Sequence, residues 1–180
     1  MNVNLASIDV LKSFNVQIGI ITDKNAISTE TLKSLLQWTN TATMIGIKWN
    51  LITMQSNQNA ALMRNCLSAQ FLEIPAATHL LFLGEHIGFE PHQILQLLSS
   101  EKHIIGGMVP KSVIPVDFHI DRTDDMVIED GLLEVNSLDF DFTMMNKESF
   151  SHLAKSKAVL PYKDASGALQ NTFFKQDIIN

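Results

Sequence analysis

The run Thr78-His79-Leu80-Leu81-Phe82-Leu83-Gly84-Glu85-His86 constrains this chain more than any other stretch. After Thr78 and His79 it is apolar up to Leu83, and it closes on glycine and charge. A short apolar run bounded by turn residues reads as a strand covered on both faces, the kind found mid-sheet in α/β proteins. In such sheets ligands bind beyond the carboxyl ends of the strands. Gly84, Glu85 and His86 therefore mark where a site is expected.

The flanking segments alternate around this run. Val16 to Ile21 predicts a first strand, followed by the polar stretch Thr22-Asp23-Lys24-Asn25. Ser28 or Thr29 caps a helix carrying Leu32, Leu35, Leu36 and Thr39 at helical spacing. Lys48 to Met54 predicts a second strand, ending in Gln55-Ser56-Asn57. A helix from about Asn59 to Leu72 places Leu62, Cys66 and Ala69 on an apolar line, widened by Met63, Leu67 and Phe71, with Arg64, Asn65 and Ser68 off it.

Glu90-Pro91 opens a third helix whose buried side is Ile94, Leu95, Leu97 and Leu98. His103 to Val109 predicts another strand, with the pair Gly106-Gly107. Strand–helix alternation with short connections predicts an α/β fold of three layers around a mostly parallel sheet. Beyond Pro110 the pattern changes. Asp130-Gly131 between two short apolar runs predicts a hairpin, Phe140 to Met145 a strand, and Lys147 to Lys155 a helix, so a small antiparallel addition is expected.

Composition excludes several classes. The 180 residues suit a single domain, and a net charge of -6 with two arginines, Arg64 and Arg122, argues against nucleic acid as a partner. No apolar stretch reaches membrane-spanning length, and the first 14 residues lack a secretory core. Cys66 is the one cysteine, so an internal disulfide is excluded, and a cytoplasmic protein is expected.

Arg64-Asn65 on a helix, Leu80-Leu81-Phe82-Leu83, Ile87-Gly88-Phe89-Glu90-Pro91, Ile104-Ile105-Gly106-Gly107 and Pro110-Lys111 follow one another in an order that resembles the GT-A glycosyltransferases. More narrowly, it is similar to the small family-2-like glycosyltransferases of bacteria, phages and large viruses. The resemblance spans Val16 to Phe150. It implies a nucleotide-diphospho-sugar transferase fold that binds a nucleotide-sugar and transfers the sugar to an acceptor hydroxyl. It also implies a nucleotide site made from Thr22, Asp23, Gln55, Arg64, Asn65, Gly84, Glu85, His86 and Lys111.

Where that family carries Asp-x-Asp, which holds Mn²⁺ or Mg²⁺ on the diphosphate, this chain reads Gly84-Glu85-His86. Glu85 and His86 are then the candidate metal ligands, although neighbouring strand-end residues are expected to point apart. Asp139-Phe140-Asp141-Phe142 replaces a Gly-x-Gly-Phe strand, and the chain reaches Asn180 about where the family's acidic segment, source of the catalytic base, would begin. The resemblance therefore also admits a degenerate member that serves as a binding or assembly subunit, with homo-oligomers expected. An unrelated Rossmann-like binder has the least support, because neither a Gly-x-Gly-x-x-Gly nor a P-loop motif is present. Asp117, His119 and Asp121 share one face of an extended segment, which admits a metal site but reads rather as a solvated edge. His79 reads as a satisfied core histidine.

Overall fold

The computed structural model describes residues 5–56, 59–110, 112–113, 116–118, 128–156, 159–163 and 169–174. The elements are α1 (Ile8–Ser13), β1 (Asn15–Thr22), α2 (Thr29–Ile45), β2 (Lys48–Gln55), α3 (Ala60–Glu73), β3 (His79–Gly84), α4 (Pro91–Ser99), β4 (Ile104–Gly106), β5 (Ser112–Val113), β6 (Val116–Asp117), β7 (Ile128–Glu129), β8 (Leu132–Leu133), β9 (Phe142–Asn146), α5 (Lys147–Ala154), β10 (Pro161–Lys163) and β11 (Leu169–Asn171). A mixed sheet in the order β2-β1-β3-β9-β4 forms the centre. β1 runs parallel to both β2 and β3, whereas β9 lies antiparallel between β3 and β4. Three two-stranded antiparallel sheets, β5-β6, β7-β8 and β10-β11, lie outside it.

Alternation along the central strands divides the core in two. Val16, Ile18 and Ile20 of β1, with Leu81 and Leu83 of β3, pack against α1, α2 and α4. Leu80 and Phe82 of β3 face the other way, against Leu67 and Phe71 of α3 and Phe150 of α5. The sheet is thus covered by helices on both faces, as the strand–helix order predicts. Gly19 belongs to the second face, where an added Cβ would stand 2.9 Å from Leu67 Cδ1, so a side chain there would displace that of Leu67.

α4 follows its sequence closely. Ile94, Leu95, Leu97 and Leu98 are all buried, Pro91 occupies the first turn, and Gln93 and Glu90 close a capping box. Asp130 and Gly131, both at positive φ, make the turn between β7 and β8.

The segment before Phe14, assigned no element from sequence, contains a helix, α1, capped by the Ser7 side chain. Three expectations are corrected. In α2 the buried line is Thr31, Ser34, Leu35, Trp38 and Ala42, whereas Leu32 and Leu36 are 49% and 60% exposed. In α3, Asn65 and Ser68 are buried beside Leu67 and Phe71, and Leu62 faces outward. The cause is the same in both helices: hydroxyl and amide side chains that find partners can be buried, and they rotate the helix. Thr31 Oγ1 donates to the Glu85 carbonyl, and Ser34 Oγ accepts from Phe89 N. The strand expected over His103 to Val109 is shorter, Ile104–Gly106, because its ladder with β9 ends at Gly106 opposite Thr143.

His79 opens β3, stacks edge-on against Phe14 at 5.0 Å, and meets Thr78 Oγ1 through Nδ1 at 2.9 Å. Burial lowers its pKa from 6.5 to about 4, because the imidazolium loses its hydration there. The unfolded chain therefore takes up a proton that the folded chain refuses. The stability this burial permits is complete above pH 6.5 and is lost as pH falls toward 4. Chemical unfolding at pH 7.5 and pH 4.5 should show a decline that is smaller in His79→Phe by roughly 2–3 kcal/mol. Equal declines in the two proteins would refute the assignment.

Candidate functional site

At the carboxyl ends of β1 and β3 the chain must turn, and the turns create a cleft of about 230 Å³. Its floor is Gly19, Ile21 and Phe82 from the sheet face that carries α3. One wall is α3, through Ala60 and Arg64, and the other is Phe140 and Asp141 at the entry to β9. Asp23, Ser56, Glu85, His86 and Ile87 form the rim.

Glu85 ties the rim together. Its carboxylate accepts the Asp23 N–H at 3.0 Å through Oε2, and Oε1 lies 3.2 Å from His86 Nε2. Its carbonyl accepts from Ser28 N at 2.8 Å and from Thr31 Oγ1 at 2.9 Å. One residue thereby joins the end of β3 to the loop after β1 and to the start of α2. Glu85 and His86 were expected to diverge, as neighbours on a strand do. They converge because the chain has already left the strand, Ile87 N bonding back to Gly84 O at 3.1 Å. Of the pair, His86 is the exposed partner at 77%, against 16% for Glu85.

Gly84 is held from the other side, its N–H donating to the Asp141 carbonyl at 2.8 Å. A Cβ at Gly84 would lie 3.3 Å from both Asp141 Cβ and Cγ, so Asp141 packs where a side chain at position 84 would project. Arg64 is half-buried, its guanidinium carbon 5.6 Å from the Phe140 ring centre, within range of a cation–π contact.

Of the residues expected at a nucleotide site, Asp23, Arg64, Gly84, Glu85 and His86 come together here. Three others sit elsewhere. Thr22 is buried and its carbonyl accepts from Ser56 N, Gln55 accepts from the Asn25 amide, and both polar atoms of Asn65 are bonded to Phe174. Lys111, His119 and Asp121 lie outside the described residues, and only the backbone of Asp117, in β6, is described.

Ser56, Phe140 and Asp141 join the cleft without having been singled out as site residues. Ser56 was within reach of the same strand-end argument as Gln55, one residue earlier. Phe140 and Asp141 depend on β9 pairing with β3, which no local pattern announces.

Glu85 and His86 offer one oxygen and one nitrogen to a cation. Among the described residues, no group of three or more His, Cys, Asp or Glu is arranged to hold a metal ion. Nor is any described helix long and apolar enough to cross a membrane.

No family profile matches the chain, and no curated protein does. Among solved structures, the crystal structure of A197 from STIV is similar, with a TM-score of 0.54 at 18% identity over 86% of this chain and 73% of that one. At that identity the likeness shows a shared fold and nothing further.

Proposed function

We propose that the cleft at the ends of β1 and β3 binds a nucleotide-sugar, in a fold of the GT-A glycosyltransferase type, and that the sugar passes to an acceptor hydroxyl. The observation that carries this reading is Arg64. It stands in the wall of a strand-end cleft, its planar cation braced on Phe140, where it can bridge two oxygens of a diphosphate. In the transfer, the acceptor oxygen bonds to the anomeric carbon while the bond to the diphosphate breaks, and the hydroxyl proton passes to water or to a carboxylate of the cleft. Arg64 would meet the negative charge that develops on the leaving group.

The rim carries Asp23 and Glu85 and the far wall Asp141, and these carboxylates repel a diphosphate. A divalent ion bound with the nucleotide would offset that repulsion, and Glu85 and His86 are the side chains that would hold it. Two protein ligands suffice when substrate phosphates and water complete the shell, and a mixed oxygen and nitrogen pair suits Mn²⁺ better than Mg²⁺.

Titration calorimetry with UDP- and GDP-sugars in the presence of Mn²⁺ tests this. Binding is expected, and Arg64→Ala should weaken it by about 10- to 100-fold, the value of charge-assisted bonds to a phosphate. Silence across the nucleotide panel, with and without metal, would overturn the proposal.

A second reading, a binding or assembly subunit without transfer activity, draws on one observation. The Glu85 carboxylate already serves Asp23 N and His86, which makes it a brace for the rim. That reading expects nucleotide binding or homo-oligomers by light scattering, with no sugar released under any metal.

A further inference from the structure

Asn65 follows Arg64 on α3, yet its polar atoms are spent far along the chain. Its Nδ2 donates to the Phe174 carbonyl and its Oδ1 accepts the Phe174 N–H, each at 2.9 Å. The amide thus presents a donor and an acceptor to one residue's backbone, as a neighbouring strand would, and the side chain is only 4% exposed. We propose that Asn65 is a positioning residue: by clamping Phe174 it sets where Arg64 stands in the cleft.

The physical path is short. Phe174 meets Phe140 edge-on at 4.8 Å and Phe82 at 5.4 Å, and Phe82 meets Phe140 at 5.5 Å. Three rings in mutual edge-to-face contact hold Phe140 against Phe82 and Phe174. Phe140 itself precedes β9, in a turn, so its position is not fixed by a strand ladder. Its ring carries the Arg64 guanidinium. Releasing Phe174 removes one side of the triangle, and with it the surface that orients Arg64.

Phe173, next in line, packs on Phe150 at 5.1 Å in the core behind α3. The segment is therefore anchored by burial as well as by the Asn65 amide. The amide chooses the register, because a slip by one residue would carry the other phenylalanine to Phe140. A contact between Asn65 and a nucleotide, which the sequence resemblance implies, would break both bonds to Phe174. Its influence on a ligand is thus exerted through Phe140 and Arg64.

This inference rests on the proposed nucleotide site only for the identity of what Arg64 holds. The positioning itself is read without ligand. The chain has two arginines, so nitrogen–proton NMR shows two Nε–Hε resonances, and Arg64→Lys identifies the one of interest. In the wild type the Arg64 resonance should carry a ring-current displacement from Phe140. In Asn65→Ala it should move toward the position of a free arginine side chain, and the Kd for the UDP- or GDP-sugar that binds should rise about fivefold, the worth of one cation–π contact.

Phe174→Leu keeps the backbone bonds and removes the ring, and it should shift Arg64 in the same direction. It also serves if Asn65→Ala fails to fold. An Arg64 resonance unmoved in a folded variant would overturn the inference, whatever the stability change. If the wild type binds no nucleotide-sugar, the functional reading fails while the resonance still decides the positioning role.

Discussion

Phe82→Ala is expected to remove about 3–5 kcal/mol of folding stability, the range for deleting a buried aromatic ring. Phe82 is 2% exposed on β3, which pairs with β1 on one side and β9 on the other. Its ring touches both Phe140 and Phe174 edge-on, so no neighbour can collapse into the hole without breaking another ring pair. Against a typical total of about 5–15 kcal/mol, that loss leaves the protein marginal. Phe82→Leu keeps most of the volume and should cost less than half as much. Leu36→Ala, at a side chain 60% exposed on α2, should stay within about 0.5 kcal/mol. Urea unfolding of the three variants gives the comparison. A Phe82→Ala loss below that of Phe82→Leu would mean that the aromatic triangle is not packed as described.

The contrast between Phe82 and Leu36 also shows what the sequence reveals. Apolar runs bounded by turns place β1, β3 and α4 to within a residue or two, because burial on both faces leaves no other use for Leu80 to Leu83. Helix faces are harder to read. Counting apolar residues alone put Leu32, Leu36 and Leu62 inward, whereas Thr31, Ser34, Asn65 and Ser68 hold those places by hydrogen bonding. Their partners are 54, 55 and 109 residues away for Thr31, Ser34 and Asn65, so no window on the sequence contains the pair.

The site follows the same division. Asp23, Gly84, Glu85 and His86 gather because parallel strands end together, a rule that needs only the strand positions. Asp141 arrives through β9, the one strand of the central sheet that runs against the rest. Local chemistry gives that strand no address. The sequence therefore marks the rim of the cleft and misses its far wall.

Gly84→Asp supplies the acid that the sequence resemblance expects at that position, and it should destabilise the protein by about 1–3 kcal/mol, as overpacking does. The new Cβ would stand 2.8 Å from Ile87 Cγ1 and 3.3 Å from the Asp141 side chain. The φ at Gly84 lies outside the left-handed region, so the penalty comes from crowding and not from backbone strain. Two carboxylates forced together also repel, which adds to the crowding. The double variant Gly84→Asp, Asp141→Gly removes the crowding carboxylate and should recover more than half of the loss, a coupling of about 1 kcal/mol or more between contacting residues. Additive losses in the double variant would show that the two positions do not share one space. Recovery would establish that a single acid fits at this corner of the cleft, and that in this chain it is held by the wall, on Asp141, opposite the strand tip that ends in glycine.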